Sequence, residues 1–87
     1  MVTQQIGDDT AETIGQGVTW WKSYTLSVPN GYRPIGIIQF TSGQRGSTLT
    51  NCNLVNHSTY WTAELGGRGE VTNAQIKPSA TVLYVKS

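Results

Sequence analysis

His57 stands between Asn56 and Ser58, with Cys52 just upstream, so the usual parts of a nucleophilic site lie close together in the chain. A triad also needs a buried acid to orient the imidazole, and no carboxylate is spaced to do that. The spacing predicts a surface histidine in a turn. Glu64 and Glu70 flank Gly66, Gly67 and Gly69, and across a hairpin they would face each other as a glycosidase pair does. Such a pair works in a deep cleft, which a short chain does not easily build alone, so the default reading is two solvated hairpin charges. Asp8 and Asp9 lack the alternating oxygen ligands of a calcium loop. One histidine and one cysteine cannot close a four-ligand zinc site. No helix follows GGRG, which excludes a phosphate loop. Asn56-His57-Ser58 fits a glycosylation sequon, relevant only in a eukaryotic secretory context. No catalytic residue, metal site or cofactor is assigned.

The elements that must position these residues come from a chain of 87 residues, enough for one small domain with a thin core. The single cysteine excludes an internal disulfide, so association with other subunits is the leading source of extra stability. Charged residues are 13% of the chain and the formal net charge is +1, with the basic residues scattered. A scattered charge set argues against nucleic acid. No apolar run reaches the roughly 20 residues that span a bilayer, which argues against membrane insertion.

Apolar residues alternate with polar ones almost everywhere. Val18 to Val28 reads as a half-buried strand with Trp20, Tyr24, Leu26 and Val28 on one face. Pro29, Asn30 and Gly31 form a turn. Ile35 to Phe40 is apolar on both faces, as in a central covered strand. Further strands are expected over Thr48 to Asn56, with Leu49 and Val55 opposite in facing to Cys52 and Leu54, and over Thr59 to Leu65, Val71 to Ile76 and Ala80 to Lys86. The glycines around Arg68 read as a hairpin turn. The predicted fold is all-β, an antiparallel β-sandwich or jelly-roll-like domain of six to seven short strands over residues 17–87. Residues 1–16 read as an N-terminal arm, a linker or the end of a fibre shaft, with an extra edge strand as the alternative.

Eight aromatic residues accompany this low charge. Strand parity assigns Trp20, Tyr24, Phe40, Trp61 and Tyr84 to the core and leaves Trp21, Tyr32 and Tyr60 over. Leftover aromatics on an amide-rich and hydroxyl-rich surface suit a subunit interface or stacking on sugar rings. Trp21, with Ile6 and Ile14 of the arm, is the expected subunit contact. Trp21 is expected to meet another subunit or the arm itself, with sugar stacking as its second role. Tyr32, Arg33, Gln44, Arg45, His57, Tyr60 and Arg68, in loops, are the expected ligand contacts.

The strand ending in VPNGY, the following RPIGIIQF and the terminal ATVLYVKS resemble the C-terminal β-sandwich head of phage and prophage tail-fibre or receptor-binding proteins. The resemblance covers about Gly17 to Ser87. It implies a homotrimeric, non-enzymatic head in the virion tail that recognises a bacterial surface carbohydrate or protein. The family has no shared site motif to place on these residues. The competing readings are a structural tail or capsid accessory domain, whose aromatics serve only subunit contacts, and a small glycan hydrolase using Glu64 and Glu70.

Overall fold

The computed structural model describes residues 2–87 and, among them, holds eight strands and no helix. In chain order they are β1 (Val2–Gly7), β2 (Glu12–Thr13), β3 (Thr19–Thr25), β4 (Tyr32–Thr41), β5 (Ser47–Asn56), β6 (Trp61–Gly69), β7 (Gln75–Ile76) and β8 (Ser79–Lys86). One antiparallel sheet has the order β1-β8-β4, the other β3-β6-β5, and β2 and β7 form a two-stranded ribbon. The two larger sheets pack as an elongated sandwich of 45 × 21 × 18 Å rather than a closed barrel.

The core follows from alternation along the central strands. β6 sends Ala63 and Leu65 inward and β8 sends Ala80, Val82 and Tyr84 to meet them. Trp20 and Leu26 close the layer from the β3 side. The Pro29 turn forms as its residues demand, with the Tyr32 amide donating to the Pro29 carbonyl at 3.0 Å and Gly31 at φ 82°.

Several expectations are corrected. Residues 2–7 are not a free arm: β1 runs antiparallel to β8 from Val2 opposite Tyr84 to Gly7 opposite Ser79, the edge-strand alternative. Ile6 and Ile14 are partly buried and pack against the domain's own core. β4 is an edge strand, not a central one. Its ladder with β8 is interrupted between Ile38 and Thr41, where Gln39 takes φ 53°, and Phe40 in that irregular stretch is 52% exposed instead of lying in the core; Ile35 and Ile38 are exposed as well. On β5 the register slips between Leu49 and Asn51. That extra residue, Thr50, reverses the alternation, so Leu49 joins Cys52 and Leu54 in facing the core.

The glycines around Arg68 do not turn the chain. They lie inside β6, where Gly67 is opposite Trp20 and Gly66 opposite Trp21. An indole crossing to the neighbouring strand needs a residue without a side chain beneath it, and each tryptophan has one on its own face of the sheet. The two carboxylates therefore cannot face each other across a hairpin. Glu64 and Glu70 are six residues apart along one extended segment, about 20 Å, well beyond the separation that a glycosidase pair uses.

Where β1 and β3 meet, the sandwich is closed by polar groups. The Tyr24 hydroxyl donates to Asp8 at 2.9 Å, and Lys22 reaches Glu12 at 2.9 Å and Asp8 at 3.4 Å. The hydrogen bond to Glu12, joined by the Asp8 contact, raises the Lys22 ammonium above its ordinary range. Burial and the Asp8 carboxylate push the Tyr24 phenol far above its ordinary value. Both groups favour their protonated form in the folded state, so their contribution is complete below the unfolded values. It is lost as pH rises through the higher folded values. Urea midpoints should therefore begin to fall at about pH 8.5, where the partly buried Cys52 thiol, also raised by burial, starts to contribute, and fall further through the range of Tyr24 and Lys22. Tyr24→Phe should flatten part of that fall; an unchanged alkaline limb would show that the phenol is not linked to folding.

Candidate ligand-binding surfaces

The β5–β6 hairpin is built by its short polar residues. Ser58 adopts φ 77° and donates its amide to the Asn56 Oδ1 at 2.8 Å, while the His57 amide closes on the Tyr60 carbonyl at 2.9 Å. This tight loop brings the His57 and Tyr60 rings into a parallel stack, 4.5 Å between centroids and 8° between planes. His57 Nε2 lies 2.8 Å from Thr62 Oγ1, whose hydroxyl donates to Glu64 Oε2 at 3.3 Å. Since the one hydroxyl hydrogen goes to Glu64, the imidazole Nε2–H is the donor to Thr62. The chain His57, Thr62, Glu64 fixes the ring plane that supports Tyr60.

Tyr60 remains 48% exposed. Beside it runs a groove of about 360 Å³ between Leu26, Val28 and Trp61, rimmed by Ser58 and Thr59. A flat aromatic plate, an apolar floor and hydroxyls at the rim can hold a ligand that has both an apolar face and hydroxyl or amide groups. Cys52, partly buried on β5, has its thiol pushed up by desolvation, the reverse of what an activated nucleophile needs. Among the described residues no cluster of three or more His, Cys, Asp or Glu gathers to hold a metal.

The remaining expected ligand residues do not converge here. Tyr32 opposes Lys86 on β4 and packs partly against the core, and Arg33 is exposed beside it. By strand direction they share the hairpin end of the sandwich. Gln44 and Arg45 occupy the β4–β5 loop at the opposite end, where the Arg45 carbonyl accepts from the Gln75 amide at 2.9 Å. Arg68 lies on the outer face of β6, paired with Glu70 at 3.2 Å. The seven residues thus divide among separate regions, and His57 and Tyr60 are the two in direct ring contact.

Sequence reasoning missed one participant in the hairpin. Glu64 acts on the hairpin through Thr62, a relation foreshadowed by the i, i+2 spacing that puts both on one face of β6. Trp21 lies on the outer face of β3, 56% exposed, with Gly66 beneath its six-membered ring. Residues 2–7 do not cover it, since β1 belongs to the other sheet. A further apolar feature is the seam between β4 and β5, a groove of about 330 Å³ lined by Ile35, Ile37, Phe40, Cys52 and Leu54. Comparison of the chain with protein families, curated proteins and solved structures returns no match.

Proposed function

We propose that the chain is a non-enzymatic binding module, acting as a homotrimer at the tip of a phage tail fibre and recognising a carbohydrate or protein on a bacterial surface. The observation that carries this reading is Tyr60, held flat by His57 at the lip of a groove on a weakly charged surface. The resemblance to tail-fibre heads supplies the setting. Each site is shallow, and binding gains strength because engagement of one subunit raises the effective concentration at the others. The test is retention of the purified protein on a panel of bacterial cells and immobilised surface glycans. Tyr60→Ala should reduce retention by about tenfold, the loss of a single aromatic stack. Retention by no cell or glycan, or equal retention by Tyr60→Ala, would defeat the reading.

The exposed apolar edge of β4 favours a second reading, a structural virion domain whose apolar surface serves only subunit contacts. Both readings place self-association at Ile35, Ile38 and Phe40, because an uncovered apolar edge strand is a natural pairing site. Phe40→Asp should move the mass measured by light scattering to that of a monomer while leaving the β-sheet circular dichroism intact. A mass unchanged by Phe40→Asp would remove β4 from the interface. A stable oligomer that retains no cell or glycan would favour the structural reading.

A further inference from the structure

The outer face of the β3-β6-β5 sheet carries an ordered row of side chains. Trp21 on β3, Gly66 on β6 and Asn51 on β5 lie in line across the three strands. The adjacent row on one side is Ser23, Glu64 and Asn53, and on the other Thr19, Arg68 and Thr48. A methyl on Gly66 would stand 3.1 Å from Cε3 and 3.6 Å from Cζ3 of Trp21, so that side of the six-membered ring lies close over the glycine. Trp21 is otherwise 56% exposed to solvent. Neighbouring strands are about 4.8 Å apart, and Glu64 and Arg68 follow Gly66 at about 7 Å on either side along β6. The result is an aromatic plate bordered by a carboxylate, a guanidinium and a carboxamide.

We propose that this plate is a second carbohydrate site, distinct from the hairpin groove, that stacks one pyranose ring on Trp21 and binds its hydroxyls with Glu64, Asn51 and Arg68. The inference rests on the reading of the chain as a carbohydrate-binding module. A pyranose has a face of C–H groups and a rim of hydroxyls. Its C–H face matches the electron-rich indole, and its rim matches a border that both donates and accepts. A second copy of the chain fits less well. The centre of a subunit interface is depleted in charge, whereas Trp21 has Glu64 and Arg68 in the flanking rows and threonine and serine along its own strand. The apolar contacts that a subunit needs are on β4 instead. Gly66 gives the arrangement its purpose: any side chain there would lift the indole off the sheet and tilt the plate.

The test is an NMR titration of the full chain with cellotetraose and chitotetraose, whose β-linked rings present continuous C–H faces. The Trp21 indole N–H is assigned by its loss in Trp21→Phe. Saturable shifts at the Trp21 indole and the Gly66 and Asn51 amides are expected, with affinity at least about tenfold weaker in Trp21→Ala. Because Trp21 is largely exposed, Trp21→Ala should keep the wild-type dispersion of amide signals. Gly66→Ala keeps the tryptophan and alters its seating, and it should weaken the same shifts. Shifts confined to residues 57–61 would overturn the Trp21 site while leaving the carbohydrate-binding module in place. No shift anywhere, together with no retention on cells or glycans, would overturn both. A Trp21 indole signal that moves with protein concentration alone would assign the plate to a second copy and overturn the sugar site.

Discussion

Gly67→Ala is expected to abolish the folded state, although it adds a single methyl group. Gly67 lies on the inner face of β6, between Trp20 on β3 and Leu49 on β5. Its missing side chain leaves room for the Trp20 indole, whose Nε1–H donates to the Thr48 carbonyl at 3.2 Å. A methyl at this position would stand 2.8 Å from Trp20 Nε1 and would overlap the Thr48 carbonyl oxygen itself. Alanine has no rotamer with which to escape, and the overlapping atom belongs to the backbone. Relief requires parting β5 from β6, which breaks the ladder as well as the indole bond. Overpacking typically costs about 1 to 3 kcal/mol, and more where, as here, the overlapping atom belongs to the backbone and cannot rotate away. A chain of 87 residues has about 4 to 13 kcal/mol in total. The variant should lose its amide dispersion and its cooperative melt at 37 °C. Gly66→Ala is the matched comparison, because the methyl meets the rim of an exposed indole at 3.1 Å, which can give way, and the Trp20 carbonyl oxygen at 3.2 Å, which a shift of a few tenths of an ångström relieves, with no overlap like that at Gly67. It should melt within a few degrees of the parent. Equal stability in the two variants would mean that the neighbouring glycines do not serve opposite faces of the sheet.

This pair of glycines marks the limit of what alternation in the sequence conveys. Period-two patterning located the strands around Trp20, Cys52, Ala63 and Val82, because each has one face to bury, and a continuous apolar run located the one around Ile37. It also separated Trp20 from Trp21 correctly, one inside and one outside. It does not reveal which strand lies beside which. Gly66 and Gly67 resemble turn residues until Trp20 and Trp21 are known to lie across from them. Ile35 to Phe40 resembles a central strand until the neighbour on one side is found to be absent. Thr50 carries no local sign that it will be the extra residue that turns Leu49 toward Cys52. Each of these depends on pairing between distant segments, as does the incorporation of β1 beside β8. For the candidate sites, exposure of Trp21 and Tyr60 was legible from parity. The stacking of His57 on Tyr60 was not, because it follows from a left-handed Ser58 within the hairpin.

Tyr84→Ala should be comparably damaging, for a different reason, and Tyr84→Phe should not. The Tyr84 side chain is fully buried at the centre of β8, between β1 and β4, and is among the largest buried groups of the domain. Truncating such a ring costs about 3 to 5 kcal/mol, from lost burial and from the cavity left behind. A small sandwich has little left after that loss, and Tyr84→Ala should unfold at or below 37 °C. The hydroxyl has a separate task. It donates to Gln4 Oε1, which also accepts the Ser27 amide at 3.2 Å. The three groups tie β8 to β1 and to the segment leading out of β3. Tyr84→Phe deletes one donor but leaves Gln4 accepting from Ser27, so it should cost about 1 kcal/mol or less. Its consequence is positional, because Ser27 lies between Leu26 and Val28, two walls of the hairpin groove. Tyr84→Phe should therefore keep most of its melting temperature while shifting the amide signals of residues 26–28 and weakening retention on glycans or cells. If Tyr84→Phe destabilises as much as Tyr84→Ala, the hydrogen-bonded tie rather than the buried ring holds the two sheets at this point.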